Sequence, residues 1–409
     1  MPSIRPSPTT AVHGTDLSGR AIAPDLARGV MLLIIAVVHA HIFRLMTNGD
    51  LAGAPAGVLD TVTTMAVLLL AEARGYPMFA ALFGYGLAWI HLRRVGEGRT
   101  WPWVRALVRR RGRWMVAIGL AHVVLLFFGD IISVYGLIAL LFAGLLHVSD
   151  RRLLAHGFTW MAVGSLVYAL GTTMPAATSA EGGGALSPDP LVDLGMRLLT
   201  WPFMTPLLLV TSVFPFVVGV WAARRRVLER PQDHLALLRR VAGIGIPLAV
   251  IGGLPWALTG AGLWSPSSAA VEAVGAWLHV LTGYAGGFGY AALIALVAVR
   301  IGGRQGPVVR ALVATGQRSM TCYLLQSVAW MVLFMPYTLN LGAGISDTAS
   351  VLVGAAVWAV TVVLADLMRR FGARGPAERF LRWCTYAPVR HDRMEDDHPR
   401  RPAAERTAP

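Results

Sequence analysis

The chain of 409 residues contains no lysine, so all 36 of its basic residues are arginine. It has only two cysteines, Cys322 and Cys384. So few cysteines exclude a disulfide framework, and they offer no metal-ligand spacing. Charge of either sign is scarce: 14% of residues are charged, against roughly 25% in soluble domains. That scarcity, beside 55% hydrophobic residues, points to a chain whose solvent is lipid. A net charge of +14 is of the size nucleic-acid binders carry. Here, however, the arginines fall between apolar runs rather than along one face. That pattern is the positive-inside signature and argues against nucleic acid as a partner.

Residues 1–24 are polar, contain proline, and lack the apolar core and small-residue site of a cleaved signal peptide, so the first span is predicted to act as an uncleaved anchor. A crossing helix needs about 20 apolar residues. Runs that meet or approach this lie at 29–46, 75–92, 113–128, 131–147, 153–174, 203–221, 241–259, 272–299, 319–339 and 350–368. A further run, Val58 to Leu70, is too short to cross. Arginines crowd 93–113, 151–152, 224–240, 300–318 and 369–382, whereas 47–57, 175–200, 260–271 and 340–349 hold only Arg197. Crossing at the ten longer runs, with both termini cytosolic, puts every arginine-rich loop inside, and both cysteines at or beyond that side as reduced thiols. Counting Val58–Leu70 as a further span would reverse the sidedness of everything after it.

The fold class expected is therefore all-α: a polytopic membrane protein with about ten transmembrane helices, plus a short re-entrant or interfacial helix on the outer side. The divisions are a cytosolic tail (1–24), an N-terminal helical half (25–174), an outer loop (175–202), a C-terminal helical half (203–390) and a disordered cytosolic tail (391–409). No internal repeat relates the halves. No span carries the Gly/Pro-broken pair typical of inverted-repeat transporters.

Ionisable and polar groups inside lipid are costly and tend to be functional. In the first span, Arg28 and His39 lie almost three turns apart on one face, about 16 Å along the axis. Asp25 shares that face. His41 is rotated by about 200° and points elsewhere. A second constellation, "RRRGRWMVAIGLAHVVLLFFGDIISVYG", holds Arg113, His122, Asp130 and Tyr135. Gly129–Asp130 makes a tight turn between two antiparallel spans, and Asp130, three before Ser133, also suits a helix N-cap. A third, "GQRSMTCYLLQSVAW", places Ser319, Tyr323, Gln326 and Trp330 on one helix face, a polar stripe that must meet protein or a cavity. Each has a plain alternative in interhelical hydrogen bonding. Arg109 and Arg113 either orient their helix or hold the phosphates of a cosubstrate.

The blocks "DLARGVMLLIIAVVH", "YPMFAALFGYGLA", "RGRWMVAIGLAHVVLLFFGDIISVYGLIALL", "GQRSMTCYLLQS" and "RGPAERFLRWCTY" resemble, in order, those of the YeiB-like family, domain of unknown function 418. The resemblance runs from Asp25 to Tyr386. It implies a bacterial cytoplasmic-membrane protein related to transmembrane acyltransferases, including heparan-α-glucosaminide N-acetyltransferase and the acyltransferase family three enzymes. Two departures stand out. His39 occupies a position where the family usually has Asn, and acyltransferase family three places a functional His at that offset from its Arg. Cys322 replaces the usual Asn before the Tyr.

The function expected is acyl transfer from a cytosolic thioester, acyl-CoA as cosubstrate, to a hydroxyl or amine of an envelope glycan, lipid or small metabolite. His39, His122 and Asp130 are the catalytic candidates. Arg28, Arg109 and Arg113 would hold the cosubstrate, and Asp25, Tyr135, Tyr323 and Gln326 would line the cavity. No metal is called for. The partners are the bilayer and the acceptor, with a homodimer as one option for assembly. A small-molecule exporter using the same polar face is the rival reading.

Overall fold

The computed structural model describes residues 21–48, 55–173 and 186–396, and among them every regular element is helical. The first half contains α1 (Ile22–Asn48), α2 (Val58–Leu70), α3 (Gly75–Gly96), α4 (Trp101–Leu125), α5 (Ile131–Leu141) and α6 (Asp150–Thr173). The second contains α7 (Pro190–Arg224), α8 (Leu235–Gly260), α9 (Ala269–Ile301), α10 (Pro307–Gln317), α11 (Ser319–Phe334), α12 (Asp347–Arg370) and α13 (Pro376–Asp396).

Seven stretches are long and apolar enough to cross a membrane: Ile22–Thr47, Val58–Gly96, Asp150–Gly171, Pro190–Arg224, Pro231–Gly260, Ala269–Ile301 and Asp347–Arg370. The other expected runs also fall on helices, but of a different kind. Five arginines, from Arg105 to Arg113, load the first half of α4. Helices α5 and α11, at 11 and 16 residues, reach only about 17 and 24 Å, short of a hydrocarbon core of roughly 30 Å.

The boundaries differ from expectation in three places. Helix α2 has the length foreseen and is not a separate element. It continues through a turn at 71–74 into α3, forming one interrupted 39-residue stretch. Val37 of α1 lies in a groove beside Val62 and Ala66 of α2, while Ile34 and Met31, nearer the start of α1, lie beside Gly75. The chain therefore keeps advancing along α1 through the break. Second, α7 begins at Pro190, inside the expected outer loop. Pro202, Pro206 and Pro215 lie inside the helix, which runs through them. Third, α13 continues to Asp396, past the expected start of a tail. The remainder of the two terminal tails and residues 174–185 of the loop lie outside the described residues.

What holds the α2–α3 break is a guanidinium. Ala73 takes the left-handed φ of 54°, and Arg74 is fully buried. Its NH1 donates to the Leu68 and Glu72 carbonyls at 3.1 and 2.7 Å and lies 3.0 Å from His279 Nδ1 of α9. Its NH2 donates to the Ala249 carbonyl of α8 at 2.5 Å. A helix end in an apolar setting must find partners for its last carbonyls, and Arg74 supplies them. Gly253 makes room, since a Cβ there would collide with NH2.

At the arginine-rich end, α11 is capped from a distance. The Glu378 carboxylate of α13 accepts from the Met320 and Thr321 amides at 2.8 and 3.1 Å and from the Thr321 hydroxyl at 2.6 Å. An anion at a helix N-terminus satisfies orphan donors and meets the positive end of the macrodipole. Glu378→Ala is expected to lower stability by about 1–2 kcal/mol, read as the unfolding midpoint in detergent. An unchanged midpoint would show the cap to be idle.

Candidate active site

Helices α4 and α5 form a tight antiparallel hairpin closed by Gly129 and Asp130. Asp130 caps α5, its two oxygens accepting from the Ile132 and Ser133 amides at 3.2 and 2.6 Å. The hairpin folds His122, in the last turn of α4, back onto that cap, with His122 Nδ1 3.1 Å from Asp130 Oδ1. The contact lies off the line of a well-formed hydrogen bond. Gly119 permits the approach, because a Cβ there would strike Asp130 Oδ2. The other imidazole nitrogen, Nε2, stands 2.8 Å from Ser327 Oγ on α11. Carboxylate, imidazole and hydroxyl thus form a chain across three helices. Asp130, His122 and Ser327 are each at most 2% exposed.

Placing the His122 proton on Nδ1, toward Asp130, leaves Nε2 as an acceptor for the Ser327 hydroxyl. The same hydroxyl lies 3.2 Å from the Tyr323 carbonyl, one turn back on α11. The Tyr323 ring packs 5.3 Å from that of His122, and its phenol donates to the Gly129 carbonyl at 3.4 Å. His39 completes the group: its ring lies 6.4 Å from Tyr323 and 5.5 Å from Phe127. His39 is only partly buried, and its Nδ1 has no hydrogen-bond partner among the described residues.

Other residues singled out from sequence lie elsewhere. Asp25 and Arg28 pair with each other at 3.0 Å near the start of α1, and Arg28 also donates to the Leu82 carbonyl. The Gln326 amide turns toward Leu32 and Thr361, tying α11 to α1 and α12. Tyr135 stacks on Phe79 and Phe83 of α3. Arg109 and Arg113 are exposed on α4. His41, expected to be a bystander, is buried and lies 3.3 Å from Asp347, which also binds Arg44 at 2.9 Å.

Three features escaped the sequence reading. Ser327 is the first; its signal in the sequence is the i, i+4 spacing from Tyr323 on the same helix face. The Arg74–His279 contact is the second. The third covers the arginine-poor end of α4, where buried Arg197 binds Asp193 at 3.0 Å and donates to the Val123 carbonyl at 3.4 Å. Tyr337 donates to Asp193 at 2.8 Å. Arg197 therefore fixes the turn that carries His122.

Comparison with known proteins gives two matches. Residues 222–388 match a family described as "Protein of unknown function (DUF418)". The "Uncharacterized protein YxaH" of Bacillus subtilis (strain 168) is 24% identical over 337 residues, covering 76% of this chain and 78% of that one. The family match takes in α11 and Glu378, while His39, His122 and Asp130 lie before it.

Proposed function

We propose membrane-embedded acyl transfer, with the Asp130–His122–Ser327 chain as its centre, for this chain, whose residues 222–388 match the DUF418 family. The observation that carries this reading is the 2.8 Å approach of Ser327 Oγ to an imidazole whose other nitrogen faces a buried carboxylate. Such an arrangement is recognised by geometry and roles rather than by fold or chain order.

In the proposed reaction the Ser327 hydroxyl attacks the carbonyl of a thioester. His122 takes the hydroxyl proton, Asp130 stabilises the imidazolium, the carbon–sulfur bond breaks, and the proton passes to the leaving thiolate. The acyl group rests on Ser327 as an ester. An acceptor hydroxyl or amine then attacks that ester, His39 takes its proton, and the proton passes by way of His122 to Ser327, which leaves as the hydroxyl. Parking the acyl group suits a protein between two compartments, because donor and acceptor need not be present together. The donor would be acyl-CoA from the cytosol and the acceptor an envelope glycan, lipid or small metabolite. The support for sidedness is the arginine asymmetry, read as about ten crossings of the bacterial cytoplasmic membrane with both termini inside. In that count α2 and α3 are one broken crossing. Arg110 and Arg111, turned toward α13 rather than outward, are the better candidates for the donor's phosphates than Arg109 and Arg113.

The test is to mix purified protein with acyl-CoA alone and follow free thiol. A burst matched by an acyl mass increment on the peptide holding Ser327 is expected; absence of both would end the proposal. His39, the least buried member of the group, serves the acceptor. With acceptor present, His39→Ala and His39→Asn are both expected to slow deacylation by roughly 10²-fold if the imidazole takes the proton. Retention of rate by His39→Asn alone would make His39 a hydrogen-bond donor instead.

The rival reading, an exporter, draws on the interrupted α2–α3 stretch, since broken helices line the sites of many transporters. It predicts acceptor movement across vesicles without thiol release.

A further inference from the structure

On α4, Arg105, Arg109 and Arg113 recur at every fourth residue and are all exposed. This spacing puts them on one face, about 12 Å from first to last. Arg110 of the same run turns the other way, donating to the Thr385 carbonyl of α13 at 3.5 Å. The helix has no acidic residue to neutralise its exposed guanidinium groups. Trp114, next in sequence to Arg113 and about 100° further round the helix, begins an aromatic ledge on the side toward α13. Trp114, 39% exposed, meets Phe380 of α13 edge to face at 6.1 Å. Phe380 in turn lies 6.3 Å from Trp383, which is 65% exposed.

Orientation in a membrane requires basic residues near a span's end, but not at fixed helical spacing on one face, and it has no need of exposed rings. Exposed arginine forks on one side of α4, with exposed Trp and Phe rings on the next, match the boundary where lipid phosphates meet acyl chains. We propose that this face of α4 and α13 binds anionic phospholipid headgroups of the leaflet at the arginine-rich end. The three arginines hold phosphate, and Trp114, Phe380 and Trp383 hold the glycerol and upper acyl region. Charge complementarity selects lipid as the occupant: bare arginine beside rings exposed outward, in a chain whose neighbouring helices are apolar enough to cross a bilayer. The lipid reading stands apart from the acyl-transfer reading, because none of these residues belongs to the His122 site.

The experiment uses the full chain in vesicles of phosphatidylcholine alone or mixed with phosphatidylglycerol. After detergent extraction and washing, bound lipid is measured by native mass spectrometry. Retained phosphatidylglycerol is expected to exceed phosphatidylcholine, with the preference reduced roughly tenfold or more in R105Q/R109Q/R113Q. An equal preference in that variant, or none in the wild type, overturns the proposal. So does complete displacement by soluble glycerol phosphate, which would make this a site for free phosphates. Because the triple variant removes orienting charge, a second measurement leaves the arginines intact. The fluorescence lost on Trp383→Phe is expected to be quenched more by brominated phosphatidylglycerol than by brominated phosphatidylcholine; equal quenching also overturns the assignment.

Discussion

Replacing Ser327, His122 or Asp130 by alanine is expected to cost roughly 10²-fold or more in acyl turnover, with little additivity when two are combined, because the three act as one unit. Asp130 has two duties, and two substitutions separate them. Asp130→Asn keeps one side-chain oxygen, enough for the Ser133 amide that makes the shorter cap bond, and Asn is as good a cap as Asp. It removes the charge that faces His122. Asp130→Ala removes both, and should add a loss of about 1 kcal/mol in stability to the loss of rate. The expected pattern is a normal unfolding midpoint with low turnover for Asp130→Asn, and low values of both for Asp130→Ala. Full turnover in Asp130→Asn would reduce the carboxylate to a helix cap and the centre to an interhelical tie.

The largest effect on stability is expected at Arg74. Its guanidinium serves carbonyls at the end of α2, in the turn and on α8, and touches His279. Arg74→Ala leaves those carbonyls buried without donors and leaves Glu72 without its neighbouring positive charge. Breaking a buried ionic arrangement from one side typically costs about 3–5 kcal/mol, so the variant should unfold in mild detergents that the wild type survives. His279→Ala removes one ring contact and should cost less, about 1–2 kcal/mol. The midpoint of thermal or denaturant unfolding in one detergent decides between them. If Arg74→Ala is as stable as the wild type, α2 and α3 are joined by packing alone.

The helices themselves were legible because lipid allows few alternatives: apolar runs must satisfy their own backbone, and arginine marks their ends. Val58–Leu70 even has the foreseen length. Its junction with α3 was not legible, because a short apolar run reads the same whether it stands alone or leads into the next helix. What holds that junction is Arg74, whose partners on α8 and α9 are far away in sequence. The candidate site divides along the same line. His122 and Asp130 fold together through a local hairpin, and the spacing announced it. Ser327 stands 205 residues from His122, and helical periodicity reports which residues share a face, not which helix that face will meet. His41 shows the converse: the rotation away from His39 was right, but Asp347 waits on the other side.

The cap on α11 bears on when the protein becomes competent during its own synthesis. Ser327 leaves the ribosome well before Glu378, so the helix that carries the proposed nucleophile enters the membrane with its first amides bare. Only when α13 emerges does a carboxylate arrive to seat it. A nascent or proteolytically shortened chain that ends between α12 and α13 would hold every residue of the Asp130–His122–Ser327 chain and still lack the clasp that sets its third member. The last segment made would thus act as a completion signal, keeping an unfinished chain from attacking thioesters while it is still being inserted.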